Sequence, residues 1–133
     1  FDKGFYFKPT IIECKNHNLP AAEEELFGPI LSVMKFSNED QVINLMNDNS
    51  YGLAAGVFSE NNGTALRVSK SIRAGIVFVN TYRLISPTAP FGGFKNSGYG
   101  RESGMETMKD YSNTKTTWIN TSKKPMGDPF IIR

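Results

Sequence analysis

Tyr51-Gly52-Leu53-Ala54-Ala55-Gly56-Val57-Phe58 and Gly75-Ile76-Val77-Phe78-Val79-Asn80 decide the fold class of this chain. Each is a short apolar run bounded by glycine or by a polar residue, the pattern of a buried strand. Between them, after Asn61-Asn62-Gly63, residues Ala65, Leu66, Val68, Ser69 and Ile72 recur at helical spacing. Strand, helix, strand is the unit that pairs strands in parallel and lays a helix across the sheet. The same order stands upstream. Pro29-Ile30-Leu31-Ser32-Val33-Met34-Lys35-Phe36 reads as a buried strand entered through the Gly28-Pro29 turn, and Val42, Ile43, Leu45 and Met46 mark a helix over residues 38–48. Ser37 and Asp40 in front of that helix resemble a capping box.

Outward from this centre the signals weaken. Phe5-Tyr6-Phe7-Lys8-Pro9-Thr10-Ile11-Ile12 is aromatic and β-branched, hence a strand, with Pro9 marking an edge or an irregularity. Residues 15–22 read as loop. After Asn80 a long loop runs from Thr81 to about Gly100, a short helix is predicted over 101–109, and a β-branched strand containing Trp118 over 111–120. Pro125, Gly127 and Pro129 make 121–133 an irregular tail. The predicted class is α/β, a parallel sheet with flanking helices, with a main unit over 1–110, a C-terminal β-strand over 111–120 and the tail.

The 133 residues, 39% of them hydrophobic, are enough for one domain with a core. Lys plus Arg number 15 against 13 Asp plus Glu, so the net charge of +2 gives no electrostatic reason to expect nucleic acid or a membrane surface as partner. A single cysteine, Cys14, excludes an intrachain disulfide framework and a cysteine zinc site, and suits a reducing, cytoplasmic setting. No window approaches the ~18 to 20 consecutive apolar residues of a membrane helix. The start Phe1-Asp2-Lys3-Gly4 resembles no signal peptide, and without an initiating methionine it suggests a piece of something longer.

Chemistry concentrates in Pro90-Phe91-Gly92-Gly93-Phe94-Lys95-Asn96-Ser97-Gly98-Tyr99-Gly100-Arg101-Glu102, which holds four of the chain's 12 glycines. Glycine allows positive φ and close approach of other groups. The stretch is either a long connection or a loop that lines a site with its own aromatic, cation and carboxylate. It matches neither a Walker loop nor a G-x-G-x-x-G fingerprint. Glu102 is either a first-turn glutamate favoured by the helix dipole or a carboxylate that carries protons. Glu23-Glu24-Glu25 is either a solvated surface or includes a ligand. Glu25 and Phe27 are two apart, so an extended backbone projects both to one side, where a carboxylate beside an aromatic can accept from the vicinal hydroxyls of a ribose. His17 stands alone, without metal-ligand spacing.

Three of these segments, Glu25-Leu26-Phe27-Gly28-Pro29, the run from Tyr51 to Phe58, and Gly75 to Asn80 continued through the glycine loop to Glu102, together resemble the C-terminal part of NAD(P)-dependent aldehyde dehydrogenases. The resemblance extends from about Gly4 to Trp118. It implies that residues 1–110 are part of a catalytic domain and 111–120 an oligomerisation strand, giving a homo-oligomer. In that family a cysteine thiolate attacks an aldehyde, hydride passes to the nicotinamide, and a glutamate base helps hydrolyse the thioester. Nucleophile and base both lie upstream of the region present here, and Cys14 lacks the family's Gly-Gln-x-Cys setting. The chain alone is therefore expected to be inactive, its partners being a small aldehyde and the missing N-terminal part of the enzyme. The alternative is a non-enzymatic remnant or oligomerisation module.

Residue by residue, the resemblance implies that Glu25 binds the nicotinamide-side ribose of NAD or NADP, that Phe27 lies beside the nicotinamide, and that Leu53 adds an apolar contact. Phe91 matches the substrate tunnel, while Tyr82, Arg83 and Ile85 fall on the variable loop that shapes it. Glu102 matches a glutamate of proton relay. Lys95 and Gly98 match positions whose backbone carbonyls bind potassium in some betaine aldehyde dehydrogenases. Ile76 and Phe78 depart from the family's commoner Thr and Trp while remaining apolar.

Overall fold

The computed structural model describes residues 3–128, 130 and 131. Phe1 and Asp2 of the starting stretch, and Pro129, Ile132 and Arg133 of the irregular tail, lie outside the described residues.

Ten short elements follow one another: β1 (Thr10–Glu13), α1 (Pro20–Glu23), β2 (Ile30–Val33), α2 (Glu39–Asn47), β3 (Tyr51–Gly52), β4 (Ala54–Val57), α3 (Asn62–Ser71), β5 (Ile76–Val79), β6 (Phe94–Lys95) and α4 (Thr107–Asp110). The expected β/α alternation is present, and both main ladders are parallel. β1 pairs with β2 in the register Thr10 to Ile30, and β4 with β5 in the register Ala54 to Ile76. β3 and β6 form a small antiparallel pair, Tyr51 opposite Lys95. No strand is shared between the three ladders.

Several boundaries differ from expectation. The first strand begins only at Thr10, one residue past Pro9, which has no N–H for a ladder. The 15–22 loop contains the start of α1, whose first residue is Pro20, a position where the missing N–H costs nothing. The cap of α2 sits one residue later than Ser37. The Asn38 side chain accepts from Gln41 N at 2.9 Å, which makes Asn38 the cap, while Gln41 Oε1 reaches one residue further back and accepts from Ser37 N at 2.7 Å. The run from Tyr51 to Phe58 is two strands broken at Leu53, and the last helix is only Thr107–Asp110, so Glu102 lies outside it. Residues 112–120 form no ladder among the described residues, and Trp118 is 92% exposed. A strand there needs a partner edge, and among the described residues none pairs with it.

α3 turns its apolar stripe inward, with Ala65, Val68 and Ile72 buried against the β4–β5 ladder, while Leu66 stays outside. With Cys14, these are the only buried apolar side chains among the described residues. A folded monomer of this size exposes about 7,000 Å², whereas the chain exposes 11905 Å². The surplus is apolar in good part, since Phe5, Phe27, Tyr99, Trp118 and many others stand open. Such a surface is that of a domain part whose faces are made to be covered.

Polar contacts hold the helices together. Arg67 on α3 grips Glu39 at the start of α2 through two bonds, Nε to Oε1 at 2.5 Å and Nη2 to Oε2 at 2.7 Å. Those hydrogen bonds first, and the positive charge second, hold the Glu39 carboxyl below its ordinary pKa. A carboxyl depressed by folding stabilises above its unfolded pKa and loses that contribution as pH falls through its folded pKa. We therefore expect the melting temperature to drop on acidification through about pH 4.3 and below. The drop should be smaller in Glu39→Gln and at high salt. Equal acid limbs for the two proteins in thermal melts would contradict this.

At the other helix ends, Asn47 closing α2 donates from Nδ2 to Ser71 O at 2.8 Å and accepts at Oδ1 from Arg73 N at 2.7 Å. Lys95 Nζ donates to Asn47 O and Asn49 O, both at 2.8 Å. Cations at a helix C-terminus meet its partial negative charge, so one asparagine and one lysine bind α2, α3 and the glycine loop to each other.

Candidate functional site

Two cavities border the β3–β4 junction. The larger, about 850 Å³, is lined by residues on both sides of β2, by α2 and by the start of β4, and it includes Glu25, Phe27 and Leu53. The smaller, about 530 Å³, lies under the glycine loop and includes Leu53, Phe91, Arg101 and Glu102. Leu53 belongs to both.

Glu25 and Phe27 reach the larger cavity from the irregular stretch between α1 and β2, where Gly28 N donates to Leu26 O at 3.0 Å in a tight turn around Phe27. Phe27 is 93% exposed, so its ring face is open to a flat partner. Among the described residues no ion pair engages Glu25, whose carboxylate is left to accept from hydroxyl donors. A ribose with vicinal hydroxyls next to an aromatic ring fits this pair.

The smaller cavity is shaped by a closed loop. Phe91 and Glu102 exchange two backbone hydrogen bonds, each 2.7 Å, in an isolated antiparallel bridge. Inside it Arg101 gathers the turn. Its Nη1 donates to Gly93 O at 3.1 Å and Gly100 O at 2.6 Å, and its guanidinium carbon lies 5.3 Å from the Phe94 ring centre. Arg101 N donates to Asp110 Oδ2 at 2.7 Å, and Thr107 Oγ1 to Arg101 O at 3.0 Å, which tie the loop to α4. Gly75 at the start of β5 abuts this loop so closely that a Cβ there would stand 1.7 Å from Gly92 O.

Tyr82, Arg83 and Ile85 line neither cavity. They follow Asn80, whose amide makes reciprocal bonds with the Ser59 backbone, Ser59 N to Oδ1 at 2.8 Å and Nδ2 to Ser59 O at 3.0 Å. Asn80 takes φ 52°, which asparagine tolerates, and the chain leaves the sheet there. Tyr82 packs edge-on against Phe78 with ring centres 5.6 Å apart, while Arg83 and Ile85 are exposed. The carbonyl of Lys95 accepts from Gly98 N at 3.3 Å in a turn, and Gly98 has φ 123°. Among the described residues no cluster of three or more His, Cys, Asp or Glu is placed to hold a metal.

The sequence reading gave no site role to Arg101, Asn80 or Ser97, and set His17 aside as a lone histidine. Ser97 Oγ accepts from Gly52 N at 3.0 Å, across 45 residues, and so spans the two cavities it lines. His17 lines the larger cavity with Nε2 buried, 4.0 Å from Asp48 Oδ2 and without a hydrogen bond. Arg101 had a local signal, a cation directly after Gly-x-Gly. The others depend on long-range contacts.

With this geometry in place, likeness to known proteins decides the family. The pattern of the aldehyde dehydrogenase family matches residues 1–117. This chain belongs to the aldehyde dehydrogenase family. It is 47% identical over 131 residues to the (Z)-2-((N-methylformamido)methylene)-5-hydroxybutyrolactone dehydrogenase of Acinetobacter baylyi, covering 98% of this chain and 27% of that one. Among solved structures, the indole-3-acetaldehyde dehydrogenase AldA of P. syringae, in complex with NAD+ and IAA, is similar with TM-score 0.80 and 44% identity, over 86% of this chain and 23% of that one. The NAD+ complex of an aldehyde dehydrogenase from Bacillus cereus gives TM-score 0.84 and 39% identity, over 92% and 25%. This aldehyde dehydrogenase chain thus spans about a quarter of the length of the relatives it matches. The α/β fold with parallel ladders is that of the corresponding part of those structures.

Proposed function

We propose that this chain is the part of an NAD(P)-dependent aldehyde dehydrogenase that forms the nicotinamide-ribose wall and one side of the aldehyde tunnel. Convergence of Glu25, Phe27 and Leu53 on one cavity, with Leu53 continuing into the chamber of Phe91 and Glu102, carries the reading. When bound, NAD(P) supplies the hydride acceptor. Glu25 accepts hydrogen bonds from the ribose hydroxyls, Phe27 covers one face of the ring and Leu53 closes the apolar side. These contacts fix the ring's orientation, which the reaction needs because hydride transfer is geometry-limited. Phe91 forms apolar tunnel wall, and Glu102, anchored by its backbone bridge, holds a carboxylate at the tunnel for proton transfer. Tyr82, Arg83 and Ile85 meet the distal part of the aldehyde, and Arg83 favours one with a carboxylate. The complete enzyme works as a homo-oligomer in the cytoplasm.

The test is reconstitution with the separately produced remainder of a close relative, following formation of reduced nicotinamide. We expect no turnover from this chain alone and aldehyde oxidation from the assembly. In the assembly, Glu25→Gln should raise KM for NAD about tenfold, the loss of one hydrogen bond to a charged group, with KM for aldehyde little changed. An assembly that turns over with Glu25→Gln kinetics equal to the parent's would refute the ribose role. Turnover by the isolated chain would contradict the reading as a whole.

A further inference from the structure

Between β5 and the glycine loop the chain is pinned at two places. Asn80 makes the first pin with every polar group it has on that side. Ser59 N donates to its Oδ1 at 2.8 Å, its Nδ2 donates to Ser59 O at 3.0 Å, and its backbone N donates to Val57 O at 2.9 Å. One residue thus ties the end of β5 to the chain just past β4. The second pin lies beyond Ser86. There Gly104 N donates to Pro87 O at 3.0 Å, and the Phe91–Glu102 bridge follows. Gly104 takes φ 67°, and a Cβ on it would stand 3.0 Å from Pro90 Cγ, so the two segments approach this closely because the residue is glycine.

Tyr82, Arg83 and Ile85 stand between the pins. The Tyr82 ring leans back on the sheet, edge-on to Phe78 at an interplanar angle of 71°, and its Cδ2 lies 3.7 Å from where a Gly56 Cβ would be. Arg83 goes the other way. It is exposed, and among the described residues no carboxylate pairs with its guanidinium. Its φ is 57°, as that of Asn80 is 52°, so the backbone enters the left-handed region on either side of Tyr82. Residues other than glycine hold that conformation where their surroundings fix it. The surroundings here are the Ser59 backbone on one side of Tyr82 and Phe78 beneath it.

We propose that Asn80 is a specificity-determining positioning residue: its two side-chain bonds to Ser59 fix the point and direction in which residues 82–85 leave the sheet, and so set where Arg83 meets the far end of an aldehyde. Asn80 lines neither cavity, so it acts through the residues that follow it. Asparagine suits the task because its amide both accepts and donates and its backbone tolerates the left-handed region. The substrate class follows from Arg83, since an unpaired planar cation is matched by a carboxylate. The inference rests on the reading of this chain as part of an aldehyde dehydrogenase, and it adds the residue that holds the selecting cation in place.

The test uses the assembly of this chain with the separately produced part of the Acinetobacter baylyi dehydrogenase that it does not cover. Its kcat/KM is measured for butanal and for the aldehyde of the same length that ends in a carboxylate. The unaltered assembly should favour the carboxylate-bearing substrate about tenfold or more, the worth of one charge-assisted hydrogen bond. Arg83→Gln removes that preference directly. Asn80→Gly keeps the left-handed backbone and loses both bonds to Ser59, and it should bring the ratio to within about twofold of the Arg83→Gln value. Asn80→Asp keeps the acceptor for Ser59 N and loses the donor, so its ratio should fall between the two, and it decides the matter if Asn80→Gly does not assemble. A purely structural role would lower both kcat/KM values alike and leave the ratio unchanged, which overturns the inference, as does an unaltered assembly that oxidises both aldehydes equally well. Both results leave the dehydrogenase reading standing. An unaltered assembly that oxidises neither aldehyde overturns that reading and the inference with it.

Discussion

Gly75→Ala should cost about 3 kcal/mol of folding free energy, the upper end of the usual range for overpacking. The added Cβ would stand 1.7 Å from Gly92 O, 2.9 Å from Gly92 C and 3.3 Å from Gly93 Cα. All three are backbone atoms, so no flexible side chain can swing aside. Gly92 is itself packed beneath Gly100 O and the Arg101 side chain, so a retreat by the loop propagates toward the Phe91–Glu102 bridge. Gly28→Ala is the matched control. Nothing lies within 4 Å of its added Cβ, and its change should stay within about 0.5 kcal/mol. Urea unfolding of the chain, or of its assembly with the remainder of the enzyme, compares them. Equal midpoints for Gly75→Ala and Gly28→Ala would show that the strand and the loop are not in close contact.

A second large loss is expected at Arg101. Its guanidinium satisfies two loop carbonyls with one nitrogen while lying against Phe94. Arg101→Ala strands both carbonyls and removes the stack, which should cost about 2 kcal/mol. Arg101→Lys should recover little of it, because an ammonium lacks the planar face that stacks on Phe94 and holds the donating nitrogen between the two oxygens. The loss is local, so residues 93–100 should become sensitive to limited proteolysis before the rest of the chain unfolds. In the assembled enzyme the aldehyde KM should rise while the KM for NAD, proposed to depend on Glu25 and Phe27, stays near its original value. Full protection of the loop in Arg101→Lys would mean that charge alone suffices.

The parts of the fold that were readable in the sequence are those set by neighbours along the chain. Ile76 to Val79 form a strand because four consecutive apolar, mostly β-branched residues end at a polar one. Glu25 and Phe27 share a cavity, as their spacing of two suggested, although the backbone turns at Phe27 where Gly28 N donates to Leu26 O. The cap of α2 was misplaced by one residue because Ser37, Asn38 and Asp40 are all capping types, and only Gln41 reaching back to Ser37 separates them. Contacts across long separations left no local trace. The bridge between Phe91 and Glu102 converts an expected helix start into a pinned loop base, and Lys95 reaches Asn47 at the end of α2 from 48 residues away. Over 112–120, β-branched residues express a propensity that no pairing among the described residues fulfils.

Leu53 breaks the run between β3 and β4 and lines both cavities. One side chain therefore serves as a common partition between two chambers. On the proposed reading, trimming it to admit a bulkier aldehyde also loosens the wall offered to the nicotinamide, so the two affinities are expected to shift together rather than one at a time. On that reading, a wider substrate range is expected to arise at Phe91, which lines only the smaller chamber, while the partition stays whole.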